Sequence, residues 1–165
     1  MIVYIVRHAP AGQRDPSKWP DDSARPLTKK GERKFARAAA GLGAFAQKPA
    51  IVLSSPYARA WRTAELLEEH AGWPAPTVCA ALAGSADPAD VIPALVEHAR
   101  AEGVALVGHE PNVSELTSLL LIGDAGRAAL PFKKGGTACL SGDPAPGRAH
   151  LEWFLTPGQL RSIAG

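Results

Sequence analysis

At 165 residues, 46% of them hydrophobic and 21% charged, the chain is expected to fold as one globular domain spanning 1–165. A formal charge of +2 excludes any strong electrostatic case for nucleic acid or a membrane surface as partner. The only cysteines, Cys79 and Cys139, stand far apart and outside any CxxC pair, which argues against a disulfide framework or a zinc site. With no signal-peptide pattern and no run of about 20 apolar residues, a cytoplasmic location is expected.

The chain opens "MIVYIVRHAP". Residues 2–6 read as a central strand covered on both faces, yet they run straight into Arg7 and His8. Residues 9–26 carry Pro10, Gly12, Pro16, Pro20 and Pro26 and show no period; loops this long are commonly functional. "PLTKKG" then leads into a helix with Thr28 as N-cap and Phe35, Ala39, Leu42 and Phe45 on its apolar face. Gly43 weakens its last turns, and Pro49 lies beyond its end.

"AIVLSSPYARAWRTAELLEEHAG" repeats the pattern. It predicts a strand over 51–53 and a helix that Ser55 caps and Pro56 opens. Ala60, Ala64, Leu67 and Ala71 form that helix's inward stripe, and Gly72 and Pro74 close the unit. A weakly marked edge strand over 77–79 precedes a helix over about 89–101, with Val91, Leu95 and Ala99 inward and Gly103 after its end. "VALVGHEPNVSELTSLLL" predicts a third strand over 104–107 and a helix over 112–121. Strands over 137–140 and 151–154 flank a "GDPAPG" turn as an antiparallel pair, and a short helix starts at Pro157. The alternation of β and α elements predicts a three-layer α/β/α sandwich, its central sheet mainly parallel with an antiparallel edge.

In such folds ligands bind beyond the carboxyl ends of the strands. Arg7 and His8 follow the first strand, "SSPYAR" the second and His109 the third, so all converge on one sheet edge. Arg59 falls in the first turn of its helix, where free N–H groups and the helix dipole favour an anion. Two arginines and two histidines around one point suit a phosphate, because guanidinium matches phosphate oxygens bidentately.

"IVRHA", "PLTKKG", "SSPYARAWRTAE" and "LVGHEP" occur in the order and spacing of the histidine phosphatase, or phosphoglycerate mutase-like, superfamily. The chain most resembles the small SixA-type phosphohistidine phosphatases. The resemblance implies that His8 is the nucleophile and carries the phosphoryl group as phosphohistidine. It implies that Arg7, Arg59 and His109 bind the oxygens of the transferred group, and that water then hydrolyses the intermediate. Neither a metal nor a cofactor is implied. The chemistry agrees, since phosphoryl transfer chiefly needs positioning and compensation of charge on the equatorial oxygens. Arginines beside His8 should hold its pKa below the reference of roughly 6.5, keeping the imidazole neutral for attack. A backbone carbonyl is expected to fix its tautomer.

The chain departs from the family pattern twice. Ala9 stands where relatives usually have glycine, a modest distortion that is tolerable if φ is negative there. Pro10 and Ala81 occupy the two neighbourhoods where SixA-type proteins often carry an acid. Asp15, Asp21, Asp22 or Glu110 could substitute, though each alone reads more simply as a solvated charge. An alcohol leaves with a pKa near water's roughly 15.7, whereas a histidine leaves near roughly 6.5 and needs far less protonation. A site without a strong acid therefore favours P–N over P–O bonds.

The expected activity is that of a metal-independent phosphatase acting on protein phosphohistidine, with the chain a monomer. The alternatives are a small-molecule phosphomonoesterase using a loop carboxylate, or a non-catalytic phosphate-binding module. Arg62 is ambiguous between phosphate contact and pairing with Glu65 or Glu69, and Lys133 and Lys134 between attracting substrate and simple solvation. His70, His98 and His150 read as structural. Trp61, Trp73 and Trp153 read as packing groups, and Trp19 as a packing group or part of a substrate lid.

Overall fold

The structure, a computed structural model, describes residues 1–165. Its six strands are β1 (Ile2–Arg7), β2 (Ile51–Ser54), β3 (Pro76–Val78), β4 (Gly103–Gly108), β5 (Thr137–Gly142) and β6 (Ala149–Leu155). They form one sheet in the order β3-β2-β4-β1-β5-β6. The β3–β2, β2–β4 and β4–β1 pairs are parallel, and β1–β5 and β5–β6 are antiparallel. This is the expected mainly parallel sheet with an antiparallel edge.

Alternation along the central strands sorts the core into two layers. From β1, Tyr4 and Val6 join Phe35, Leu42, Leu67 and Leu160 beneath α1 (Lys29–Phe45), α2 (Ala58–Ala71) and α5 (Pro157–Ile163). Val3 and Ile5 join Leu95, Val113, Leu116 and Phe132 on the opposite face, under α3 (Ile92–Glu97) and α4 (Asn112–Ile122). Every residue of β4 is buried, as a central strand with helices on both faces requires.

Thr28 caps α1 as expected, its Oγ1 accepting from the Gly31 N–H at 2.9 Å. The long loop before it is drawn together at its base by an antiparallel bridge between Ala11 and Leu27. A methyl on Gly31 would overlap the carbonyl oxygen of Pro10, so the start of α1 lies hard against the segment that follows His8.

Four sequence expectations need correction. Tyr57 is extended, so α2 begins at Ala58, and neither Ser55 nor Pro56 is its cap or first residue. The helix expected over 89–101 is a 3₁₀ turn, Pro88–Val91, followed by the short α3 that ends at Glu97. Pro93 near the start of α3 offers no N–H, and the chain turns away after His98, which leaves Ala99 exposed rather than inward. Phe45 sits at the last turn of α1, 42% exposed, and packs on Trp153 at 5.2 Å instead of entering the core.

Candidate active site

The carboxyl edge of the sheet gathers all four expected residues. The His8 N–H donates to the Gly108 carbonyl at 2.9 Å, which extends the β1–β4 ladder one residue past the strand. The Gly135 N–H, at the turn "KKGG", is shared by the carbonyls of Arg7 and His8, each at 3.1 Å. That turn needs a glycine, because Gly135 has φ +81°. The nucleophile candidate is therefore held from both sides by backbone.

Within the ring of His8, Nδ1 lies 2.7 Å from the Ala9 carbonyl. A carbonyl only accepts, so Nδ1 carries the proton and Nε2 keeps its lone pair. Burial, with Arg59, Arg7 and Lys134 nearby, pushes the His8 pKa down to about 3, although the Ala9 bond opposes this. The imidazole is neutral at physiological pH. Ala9 is fully buried, and its N–H donates to Thr63 Oγ1 at 2.9 Å. No non-glycine residue has positive φ, so the extra methyl sits on an ordinary backbone.

His109 follows β4, and its ring centre is 5.1 Å from that of His8. Its Nε2 lies 2.8 Å from the hydroxyl of Ser55, while Nδ1 is buried without a partner. The Ser55 oxygen already accepts from the Tyr57 N–H at 3.2 Å, and the hydroxyl is fully buried. Its own proton has His109 Nε2 as acceptor, which assigns the ring proton to Nδ1. Burial, followed by the proximity of His8 and Arg59, pushes the His109 pKa down to about 3.

Arg59 lies in the first turn of α2, 6% exposed, stacked over the Tyr57 ring at 5.2 Å. Its Nη1 donates to the Asp22 carbonyl at 2.8 Å, and Nη2 pairs with the Asp22 carboxylate at 3.1 Å. Arg25 holds the same carboxylate at 2.8 Å and also donates to the Gly12 carbonyl at 2.6 Å. Arg7 donates to the Phe132 carbonyl, and the Nε groups of both Arg7 and Arg59 are buried without partners. Two guanidinium groups with orphaned donors beside two neutral imidazoles form a site for an oxyanion.

The acid candidates separate. Bonding to Arg25, with Arg59 adding to it, holds the Asp22 carboxyl below the usual range, so it is a poor proton donor. Asp15 and Asp21 are tied to their own loop through Ser17 and Ser23, which lowers their pKa values too. Glu110 lines a cleft of about 470 Å³ with Arg7, Ser114 and Phe132. Its Oε1 accepts from the Ser114 hydroxyl at 2.7 Å and the Phe132 N–H at 2.9 Å, leaving Oε2 free.

Lys133 and Lys134 are both exposed, but Lys134 contributes to lowering the His8 pKa and is itself lowered by partial desolvation, then by Arg7, Arg25 and Arg59. Arg62 is taken up by Glu65 at 3.0 Å, Glu69 at 2.7 Å and Glu32 at 3.7 Å, outside the site. Sequence reasoning missed the bond between Ser55 and His109. Position alone had suggested a helix cap for Ser55, and no local signal joins it to a histidine on another strand.

The sequence profile of the histidine phosphatase superfamily, branch 1, matches residues 3–83. The solved structure of the protein histidine phosphatase SixA complexed with tungstate superposes with a TM-score of 0.84 at 26% identity, covering 97% of this chain and 99% of that one. The chain belongs to the histidine phosphatase superfamily. Its fold is shared with a protein assigned as the phosphohistidine phosphatase SixA of Agrobacterium tumefaciens, at a TM-score of 0.78, 25% identity and coverage of 94% and 98%. An uncharacterized protein of Picosynechococcus sp. is 32% identical over 154 residues, 92% of each chain. The branch 1 profile spans β1, β2 and β3, and so includes Arg7, His8 and Arg59. His109 lies beyond it and is brought in by the parallel pairing of β4 with β1.

Proposed function

We propose that this histidine phosphatase hydrolyses protein phosphohistidine through a phosphohistidine intermediate on His8. One observation carries the reading. The His8 Nδ1 proton is committed to Ala9, so a bare Nε2 lone pair sits among Arg7, Arg59 and His109. In the first step Nε2 forms a bond to phosphorus while the P–N bond of the substrate breaks; the substrate ring carries a proton on its distal nitrogen, so the electron pair of the broken bond returns to it and it leaves as neutral imidazole. Water then attacks phosphorus, the bond to His8 Nε2 breaks, and phosphate departs. Arg7, Arg59 and the Nδ1–H of His109 compensate charge on the equatorial oxygens, the main demand of such transfers.

The preference for P–N bonds rests on the missing acid. Ala9 and Pro10 carry none, Ala81 carries none, and Asp22 is locked by two arginines. A leaving imidazole tolerates that deficit, whereas a leaving alkoxide does not. A second reading, a small-molecule phosphomonoesterase, has one feature in its favour: the free Oε2 of Glu110 in the cleft beside Arg7.

The test has two parts. Labelled phosphate from a phosphohistidine substrate should be trapped under alkaline quench on wild-type protein and not on His8→Asn. The kcat/KM for phosphohistidine should exceed that for an alkyl phosphate. A higher value for the ester would replace the first reading by the second, and turnover undiminished in His8→Asn would remove both.

A further inference from the structure

The outer face of α1 is basic. Lys30, Arg33, Lys34 and Arg37 recur at helical spacing, are all exposed, and none has a carboxylate partner. Glu32, the one acid of α1, turns instead toward Arg62 at 3.7 Å. Together with Arg161 of α5, the four cations line a surface depression of about 370 Å³ that contains no apolar and no acidic side chain. A second hollow of about 180 Å³ shares Lys34 and Arg161 and continues to Lys134 and Pro10. The basic face thus runs without a break to the residue two places after His8.

Stability does not explain this arrangement. Like charges three and four apart on a helix repel. Lys30, Arg33 and Lys34 also fall in the first half of α1, toward the end where the helix dipole disfavours cations. The whole chain carries only +2, so the concentration of positive charge on one face is not a general excess. A surface that the fold bears at a cost, continuous with a phosphate-binding site, is suited to an anionic partner.

We propose that the basic face of α1 and α5 docks an acidic surface on the phosphorylated protein, holding its phosphohistidine over His8. The proposal rests on the function above and names the partner's chemistry. Nucleic acid is disfavoured because the face offers no exposed aromatic side chain on which bases could stack, and Phe35 beneath it is buried.

The probes are two phosphohistidine peptides, one flanked by four glutamates on each side and one by four glutamines. Wild-type protein should turn over the acidic peptide with a kcat/KM about tenfold higher at low ionic strength, the advantage shrinking as salt is added. Lys30→Glu/Arg33→Glu/Arg37→Glu should lose the advantage while keeping wild-type kcat/KM on free phosphohistidine. The neutral triple glutamine variant should fall between the two and removes repulsion, so its folding is not at risk. Equal rates on both peptides in wild type, or an advantage retained by the reversed variant, overturn the proposal. Binding of the unphosphorylated acidic peptide, followed by fluorescence anisotropy in wild type and variant, tests the surface even if phosphohistidine is not the substrate. A single-stranded oligonucleotide of the same charge binding more tightly than that peptide would also overturn it.

Discussion

Two buried neutral histidines at one sheet edge should make the protein unusually sensitive to mild acid. His8 and His109 are 6% and 3% exposed, and both have pKa values pushed down to about 3, first by burial. In the unfolded chain each returns to roughly 6.5. Above that pH neither state binds the protons, and the two rings add no slope. As pH falls below it the unfolded chain takes up a proton on each ring while the folded site refuses it. Stability is therefore lost from about pH 6.5 downward, levelling off only near pH 3. At pH 5 both rings in the fold are still neutral, so the penalty depends on the unfolded pKa alone. It amounts to about 2 kcal/mol per ring and about 4 kcal/mol for the pair. Against a usual total of about 5–15 kcal/mol, that is a large share.

Urea unfolding at pH 7.5 and pH 5.0 measures the effect, with His8→Asn/His109→Gln as reference. The asparagine retains a donor for Ala9 and the glutamine an acceptor for Ser55, while neither can titrate. Wild type should lose about 4 kcal/mol more than the double variant between the two pH values. Nitrogen chemical shifts of the two rings at pH 5 should report neutral imidazoles, both protonated on Nδ1. Equal losses in the two proteins, or a cationic ring at pH 5, would refute the reasoning.

Removing the Asp22 charge in Asp22→Asn should free Arg59 from a competitor, so inorganic phosphate should inhibit about two- to fivefold more tightly, read from competitive inhibition constants. Ser55→Ala should lower kcat about tenfold with little change in KM, because it releases the ring proton of His109, and should cost about 1–2 kcal/mol in denaturant unfolding by orphaning the Tyr57 N–H. Gly31→Ala drives a methyl into the Pro10 carbonyl and should destabilise the fold by about 1–3 kcal/mol, with raised KM because the segment after His8 is displaced. Unchanged melting and kinetics in that variant would show that α1 does not brace the site.

The strand ends carrying the chemistry were legible because each follows an apolar run and breaks it abruptly. Arg7, His8, Arg59 and His109 could be placed at one edge from β-α alternation alone, and the structure gathers them there. What was hidden depends on pairs distant in sequence. Ser55 looks like any serine before a proline, and only the approach of β4 to β2 brings His109 onto it. Asp22 is one of three loop aspartates, and nothing local distinguishes the one that meets Arg59. The helix over 89–101 was overextended because Val91 and Leu95 keep helical spacing even though Pro93 and the turn after His98 limit it to one short segment.

The bridge between Ala11 and Leu27 makes the intervening segment a closed excursion with both ends fixed. His8 takes its position from β4 and the Gly135 turn, neither of which belongs to that excursion. The segment is consequently a replaceable cassette: its length and composition can be rewritten without re-registering His8. The ion pair and the carbonyl bond that join Asp22 to Arg59 are the threads by which such an exchange would be felt at that guanidinium. Grafting a relative's loop between the two bridge residues, with an aspartate kept in that place, is thus a route to new substrates on an unaltered catalytic frame.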